Sequence, residues 1–554
     1  MIEITPITTL PNAALWAPLR AHKAQLTETL LELFDQNPLR AQKFSISPKN
    51  LSSGHHKKVG ETDLNITYDF SKTHLTQDTL SLFSELIKNS GLNTERARLF
   101  KGEKVNLTEN RAALHTALRA PTNNSELPDL IYEGQDFRVL VQQDLKKMAA
   151  FVEKVHEKIW LGSSGLPITH IVNLGIGGSD LGPRSVSDAL YHYQTGHTQS
   201  LFIANVDAEE LCQTLKNLNP ETTLFIIASK SFNTQETLLN AKSAKAWLTQ
   251  AFKKLNKSLD IAKHFVAISS NIPKAVEFGI TAENCFSMSD AIGGRYSLWS
   301  SIGLPIALQI GYKNFQELLN GAHAMDRHFQ EAPTTKNIPI MMALISLWYR
   351  NFWGAQSYAI LPYSHRLSLL PAYLQQLEME SLGKSVLKNG QPSPHQTGGV
   401  IWGGVGTNGQ HAFHQLLHQG TTLIPSDFIV INQASSALTH EFPEALEHQK
   451  ILNTHAKAQM QALLQGKSLS EVKAELIRAG KSPEEIGELS PHKIIPGNRP
   501  SVGIYLDELT PHTLGQLLAA YEHKVFTLSV LLGINAFDQF GVELGKALAE
   551  RSLL

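Results

Sequence analysis

The feature that most constrains this chain is an alternation that begins near His170. Short β-rich runs at His170–Leu174, Leu201–Asn205, Thr223–Ala228 and Phe265–Ser269 are separated by helix-like segments. That pattern reads as βαβ units around a buried parallel sheet. A second set follows at Tyr358–Leu361, Val400–Gly403 and Phe428–Ile431, again with helical segments between. The prediction is an α/β protein with two halves, each built on a mostly parallel sheet. A helical N-terminal region (1–130) precedes the halves (131–300 and 301–512), and a helical tail (513–554) follows them. Within the first region, Leu26–Phe34 and Thr79–Ile87 have helical apolar spacing. Arg111–Arg119 reads as a helix capped by Thr108, and Gly497–Pro500 as a turn cluster before the tail.

Composition matters mainly for what it excludes. With 554 residues and 42% hydrophobic content, the chain can bury large cores, so global disorder is excluded. Lys and Arg number 49 against 50 Asp and Glu, and no basic face suggests nucleic acid. The pairs Lys57-Lys58 and Lys146-Lys147 read as solvated surface. A ligand's negative charge must therefore be met locally, by a few placed groups. Cys212 and Cys285 are the only cysteines and form no CxxC, which points to a reducing compartment. Met1–Pro6 lacks the basic and apolar regions of a signal peptide. Apolar stretches such as Ile338–Tyr349 fall short of the ~20 residues needed to span a bilayer. The expectation is a soluble cytoplasmic protein without a membrane or nucleic-acid partner.

Two motifs suit an anion. Asn173–Pro183 is a glycine-rich turn from a strand into a helix, where backbone N–H groups can approach a phosphate. A dinucleotide fingerprint fails in detail. After Gly175 and Gly177 the third glycine position holds Asp180, and Asp207 lies 32 residues after Gly175 where ~20 is expected. A tight structural turn or contact with a phosphorylated ligand remains. Ser229–Thr237 follows the strand Thr223–Ala228 and opens a helix. Its Ser229, Ser231 and Thr234 hydroxyls, with Lys230, suit a phosphate at a helix N-terminus. Simple capping, Asn233 with Glu236 in a capping box, accounts for Asn233 but not for the Ser-Lys-Ser run. No Walker A pattern is present.

Other segments carry candidate chemistry with bland alternatives. Arg295, after Gly293-Gly294, could stabilise an oxyanion or serve structure. Pro371–Ser381 reads as a helix with Pro371 in its first turn. Its Glu378 and Glu380 face opposite sides, whereas Gln376 and Glu380 share one. His411, His414 and His418 lie near one helical face. One of them acting as acid or base fits better than a metal site. Gln539 and Lys546, seven apart, share a face of the last helix, which could equally be a solvated amphipathic tail.

Together these segments resemble the phosphoglucose isomerase (glucose-6-phosphate isomerase) family. The match runs in order through Asn106–Arg119, Asn173–Pro183, Leu224–Thr237, Gly293–Leu304, Met379–Lys384, Gly406–Gly420 and Pro496–Lys546. Gly293–Ser300, Gly406–Phe413 and Gly541–Lys546 are long strings typical of it. The resemblance implies two sugar-isomerase (SIS) domains, flavodoxin-like αβα sandwiches, in a homodimer with active sites at the subunit interface, and no cofactor or metal. It places a phosphate site on Gly178, Ser179, Ser229, Lys230, Ser231 and Thr234. It implies Glu380 as proton-transfer base supported by Gln376, and Arg295 as oxyanion stabiliser. It further implies His411, from the neighbouring subunit, for ring opening, and Lys546 with Gln539 nearby. Gly404-Val405, Leu382 and Ser231 depart from the family's usual residues. Leu382 follows the base closely and could alter its surroundings.

The implied reaction interconverts glucose 6-phosphate and fructose 6-phosphate through a cis-enediol(ate), as in glycolysis and gluconeogenesis. A non-catalytic sugar-phosphate sensor would not need Glu380, His411 and Lys546 together. An NAD-dependent dehydrogenase is disfavoured by Asp180.

Overall fold

A computed structural model describes residues 13–48, 64–121 and 130–552. Met1–Pro6 and Lys57-Lys58 lie outside the described residues. The chain forms two compact units, neither a single stretch of sequence. The first gathers Thr94–Asp326, Thr510–Glu522 and the chain from Asn535. The second gathers the described residues up to Asn93 with Arg327–Leu509 and His523–Ile534.

In the first unit five parallel strands stand in the order Gln199–Ile203, His170–Leu174, Thr223–Ala228, Phe265–Ile268 and Cys285–Phe286. Thr223–Ala228 reads TLFIIA and is buried along its whole length, as a central strand covered on both faces must be. Alternate residues point to one face. Val172, Leu174, Phe225, Ile227, Phe265 and Ala267 thus share a core with Leu248 and Phe252 of the helix Gln235–Lys254. The earliest of these five strands, His170–Leu174, lies second in the sheet. Strand order therefore reverses between His170–Leu174 and Thr223–Ala228, the flavodoxin-like doubly wound arrangement.

The second unit has six strands in the order Ser45–Ile46, Ile66–Asp69, Ser501–Leu506, Ser426–Ile431, Ser357–Tyr363 and Val400–Gly403. The last four are mutually parallel, and their order reverses between Ser357–Tyr363 and Ser426–Ile431. Two antiparallel strands extend the edge. Ala359, Leu361, Tyr363, Phe428 and Val430 pack with Ala456, Met460 and Leu463 of the helix Ala445–Gln465. The predicted α/β class with mostly parallel sheets is what forms.

Local differences have identifiable causes. Arg111–Arg119 is not a helix; only His115–Leu118 makes a 3-10 turn. Asn106 and Arg111 pair as a bridge, and the Thr108 hydroxyl donates to Asp538 Oδ2 at 2.6 Å, so tertiary partners take the groups a helix cap would use. The N-terminal region also supplies Ser45–Ile46 and Ile66–Asp69, runs too short to show a period in sequence. After the turn cluster at Gly497–Pro500 comes a strand, Ser501–Leu506, before the helix Pro511–Leu532. Thr79–Ile87 falls inside the helix Gln77–Asn89, which buries Phe83, Leu86 and Ile87. Leu26–Phe34 begins its helix only at Leu30, where Thr29 and Glu32 form a capping box. Ile338–Tyr349 lies in the buried helix Ile338–Asn351, and no described helix is long and apolar enough to cross a membrane.

Candidate active site

In doubly wound sheets ligands settle outside the carboxyl ends of the strands where their order reverses. The first unit places both anion motifs there. His170–Leu174 ends in the turn Gly175–Ser179, and Thr223–Ala228 ends in Ser229–Thr234. Asn173 Nδ2 donates to the Ser179 carbonyl at 2.9 Å and pins the first turn. A Cβ on Gly178 would lie 2.1 Å from the Gly294 carbonyl and 2.7 Å from Arg295 N, so no side chain fits between these loops. In the second turn, Ser229 Oγ and Thr234 Oγ1 are 3.0 Å apart. Phe232 is buried in the sheet core and takes a left-handed φ of 51°, reversing the chain between Ser231 and Asn233. The Lys230 carbonyl accepts from the Ser269 and Ser270 hydroxyls at 2.9 and 2.7 Å.

Gly178, Ser179, Ser229, Lys230, Thr234 and Gln539 line one cleft of about 290 Å³. Thr234 is the N-cap residue of the 20-residue helix Gln235–Lys254, and its side chain makes no cap hydrogen bond. The expected capping box of Asn233 with Glu236 does not form; Asn233 Oδ1 instead accepts from Lys274. The Ser231 side chain is exposed, and its carbonyl accepts from Asn271 Nδ2 at 3.3 Å. Hydroxyls, an ammonium and a helix N-terminus in one cleft suit a phosphate group. Asp180 is buried against Arg184 at 2.9 Å, filling the position where a dinucleotide site needs glycine.

The cleft also contains charges that no local pattern singles out. Asp290 pairs with Lys230 at 2.7 Å, and this hydrogen bond holds its carboxyl below the usual carboxylate range. Asn106, Glu109 and Arg111 line the same cleft, with Glu109 and Arg111 3.7 Å apart. Two cations thus stand among two carboxylates. Glu109 and Arg111 fall within the matching segment Asn106–Arg119, which is their one signal in sequence. Asp290 falls in none of those segments, and an isolated charge carries no period.

Arg295 is buried in the 3-10 segment Gly294–Trp299. Its guanidinium donates to Gln539 Oε1 at 2.9 Å, to the Asp538 carbonyl at 3.2 Å and to the Ala536 carbonyl. Asn535 Nδ2 donates in turn to Asn106 Oδ1 at 3.0 Å and Asp538 Oδ2 at 2.7 Å, tying this stretch to the Asn106 loop. The far end of the 3-10 segment is fixed by a buried charge cluster. Trp299 Nε1 donates to Glu522 Oε1 at 2.8 Å, and Arg119 bridges Glu522 and Asp326. Burial raises the Glu522 pKa, with Arg119 opposing.

The second unit holds the other candidates. Gln376 and Glu380 fall together on the turn Gln375–Glu380, which is a π-helical continuation of the α-helix Leu370–Leu374. Glu380 is half-buried, and the enclosed Gln376 Oε1 has no hydrogen-bond partner. Glu378 turns the other way and is buried on Lys524. His411 ends the 3-10 turn Asn408–His411 and is exposed, while the adjacent Gln410 donates to the Tyr363 hydroxyl at 2.9 Å. His414 and His418 share Gln459 Oε1, at 3.0 and 2.7 Å. Among the described residues no group of three or more His, Cys, Asp or Glu is arranged for a metal ion. In the first unit, Lys546 lies on the exposed helix Glu543–Ser552 and does not line the cleft.

A doubly wound unit with a donor-lined cleft at its strand reversal is suited to phosphorylated small molecules, and comparison with known proteins narrows the class. A model of the phosphoglucose isomerase family matches residues 69–553. The chain is 47% identical over 539 residues to the glucose-6-phosphate isomerase of Hahella chejuensis, covering 97% of this chain and 92% of that protein. It is 48% identical over 542 residues to that of Shewanella woodyi, covering 98% and 94%. The crystal structure of a glucose-6-phosphate isomerase from Chlamydia trachomatis superposes with a TM-score of 0.81 at 29% identity, covering 98% and 95%. The chain belongs to the phosphoglucose isomerase family.

Proposed function

We propose that this chain interconverts glucose 6-phosphate and fructose 6-phosphate. It is an aldose–ketose isomerase whose relatives bear that activity in their names. The observation that carries the reading is the set of hydroxyl, ammonium and backbone donors at the strand reversal of the first unit.

The substrate's dianion sits on Ser179, Ser229, Lys230, Ser231 and Thr234, beside Gly178, and this remote binding energy orients the reacting end. His411 assists ring opening by exchanging a proton with the ring oxygen, with Lys546 adding charge or a hydrogen bond. Glu380 removes the C2 proton: the C2–H pair forms C1=C2, and the C1 carbonyl pair moves onto O1, which takes up a proton. O2 then gives up its proton as C2=O forms and C1 takes the proton back from Glu380, so C1 is reduced, C2 is oxidised and the step is redox-neutral overall. Arg295, with its guanidinium held by Gln539 and the Ala536 and Asp538 carbonyls, lowers the energy of the enediolate oxygen. Gln376, with its unpartnered Oε1, accepts a hydrogen bond that orients the substrate near the base.

We read the working form as a cytoplasmic homodimer in which His411 serves the neighbouring subunit's site. Supporting this, the exposed C-terminal stretch presents Phe540, Val542, Leu544 and Leu548, with Leu544 70% exposed. A helix with so much uncovered apolar surface suits coverage by a second copy. Mixing His411→Ala with Glu380→Gln protein should restore some activity through mixed dimers. Subunit exchange without recovery would remove the cross-subunit histidine. For the activity itself, purified protein with a chelator present should convert glucose 6-phosphate to fructose 6-phosphate, and no conversion would overturn the reading.

A further inference from the structure

The helix that carries Glu380 changes pitch where its acids sit. Leu370–Leu374 is α-helical and Gln375–Glu380 is π-helical. Single π turns of this kind occur within helices, frequently at functional sites. Inside that turn Glu378 points into the unit, where Lys524 Nζ donates to its Oε2 at 2.7 Å, with side-chain exposures of 1% for Lys524 and 8% for Glu378. The same ammonium lies 4.8 Å from the Tyr358 ring centre, and the Tyr358 hydroxyl donates to Asp427 Oδ1 at 2.7 Å. Beside Glu378 the wall is mostly apolar: Leu347, Leu382, Ile401, Leu528 and Leu532 line a cavity of about 40 Å³, which Arg350 also lines with its guanidinium donating to the Thr397 and Ala355 carbonyls. At the start of the turn, Gln375 Nε2 donates to the Ile401 carbonyl at 3.1 Å.

We propose that the Glu378–Lys524 pair positions the base by setting the rotation of the π turn, an inference that rests on Glu380 being that base. Residues two apart on a helical turn project to opposite sides. Anchoring Glu378 inward therefore directs Glu380 outward and fixes its azimuth. A buried ion pair is weak evidence for stability, because desolvation offsets most of its attraction, and its best-attested use is to specify register. Here the alternatives are two pitches of one turn. Without the ammonium, Glu378 loses its ion-pair partner beside a mostly apolar wall and the turn loses its reason to stay wide. Relaxation to α pitch would rotate Glu380 away from the carbons it serves. Displacements of that scale cost about 10²-fold in rate even when the chemical group is intact. Lys524 and Glu378 are thus positioning residues and touch no substrate.

The test uses the full-length protein with Lys524→Met, Lys524→Arg and the double variant Glu378→Leu/Lys524→Met. Readouts are kcat, KM for fructose 6-phosphate, C2-proton exchange into deuterated water, affinity for a non-isomerisable phosphorylated sugar alcohol, and melting temperature. Lys524→Met should lower kcat and exchange by at least about tenfold per folded site, with KM and alcohol affinity within about twofold. Lys524→Arg, which keeps the charge, should retain most of kcat. The double variant should melt close to wild type, since an apolar pair replaces a buried ionic one, yet remain slow. Full kcat per folded site in the double variant would make the pair merely structural and overturn the proposal. So would a loss that falls on affinity instead of kcat. Failure of the underlying reading looks different: Glu380→Gln itself would stay active, whatever happens at Lys524.

Discussion

In the first unit, the two strands flanking the order reversal end in short turns, and the groups presented there are N–H donors, hydroxyls and one ammonium. In the second unit the corresponding strand, Ser357–Tyr363, leads into a longer connection that folds back as the helix bearing Gln376 and Glu380, and its neighbour Val400–Gly403 leads to His411. On the proposed mechanism the same doubly wound order serves two purposes. Short turns suit binding, because a phosphate needs only converging donors close to the backbone. On the proposed mechanism, a proton-transfer group needs a side chain held at a set angle, which a helix with a buried ion pair can supply. Their buried ionic groups differ accordingly. Arg119 with Asp326 and Glu522 braces the segment carrying Arg295 in one unit, and Lys524 with Glu378 braces the turn carrying Glu380 in the other.

That division predicts separable effects, the largest in the second unit. Glu380→Gln should fold and bind sugar phosphate near normally while isomerisation falls by about 10²–10⁴-fold, as expected for loss of a general base. C2-proton exchange should stop with it. An exchange rate near wild type would place the base elsewhere, and Glu378, engaged by Lys524, is poorly placed to substitute.

Acid should also separate the units. Burial pushes His74 and His328 of the second unit down to about 4. His74 Nδ1 lies 2.9 Å from the Tyr349 hydroxyl and its Nε2 lies 2.8 Å from Asn498 Oδ1, an arrangement that suits the neutral ring. The unfolded chain takes up these protons near 6.5, and the folded one only near 4. Stability is therefore full above about pH 6.5 and is lost as pH falls towards 4, on the order of 3 kcal/mol per histidine. Hydrogen exchange at pH 5 should rise in the second unit before the first. Uniform loosening of both units would contradict this.

In the first unit, Lys230→Ala should weaken phosphorylated-sugar binding by about one to two decades, the worth of a charge-assisted contact. Titration with a non-isomerisable sugar phosphate reads this directly, and unchanged affinity would take Lys230 out of the cradle. The smallest effect belongs to Asp290, which occupies the Lys230 ammonium at 2.7 Å with 59% of its own side chain exposed. Such a pair is worth about 0.2–1 kcal/mol. Asp290→Asn should therefore tighten inhibition by inorganic phosphate by about 1.4- to fivefold. Weaker inhibition would mean that the carboxylate helps to hold the anion.

Much of this molecule is legible in its amino-acid sequence. Parallel strands buried on both faces must be continuously apolar, so Thr223–Ala228 and Phe265–Ile268 carry their strand character in their own residues. The Ser-Lys-Ser run and the glycine turn declare their chemistry locally for the same reason. A run of donors at a strand end needs no distant partner to be recognised. Other features depend on contacts between residues far apart in the chain. Arg111–Arg119 has the composition of a helix, yet Thr108 is taken by Asp538 and Asn106 by Asn535, 430 and 429 positions away. Ser501–Leu506 is a strand because Ser426–Ile431 and Ile66–Asp69 flank it on either side. The π pitch at Gln375–Glu380, the choice of Glu378 as the buried acid and the occupation of Lys230 by Asp290 are likewise decided only by tertiary structure. Local sequence sets period, polarity and donor chemistry, whereas a charge's partner and a helix's pitch follow from which distant side chains share its desolvated surroundings.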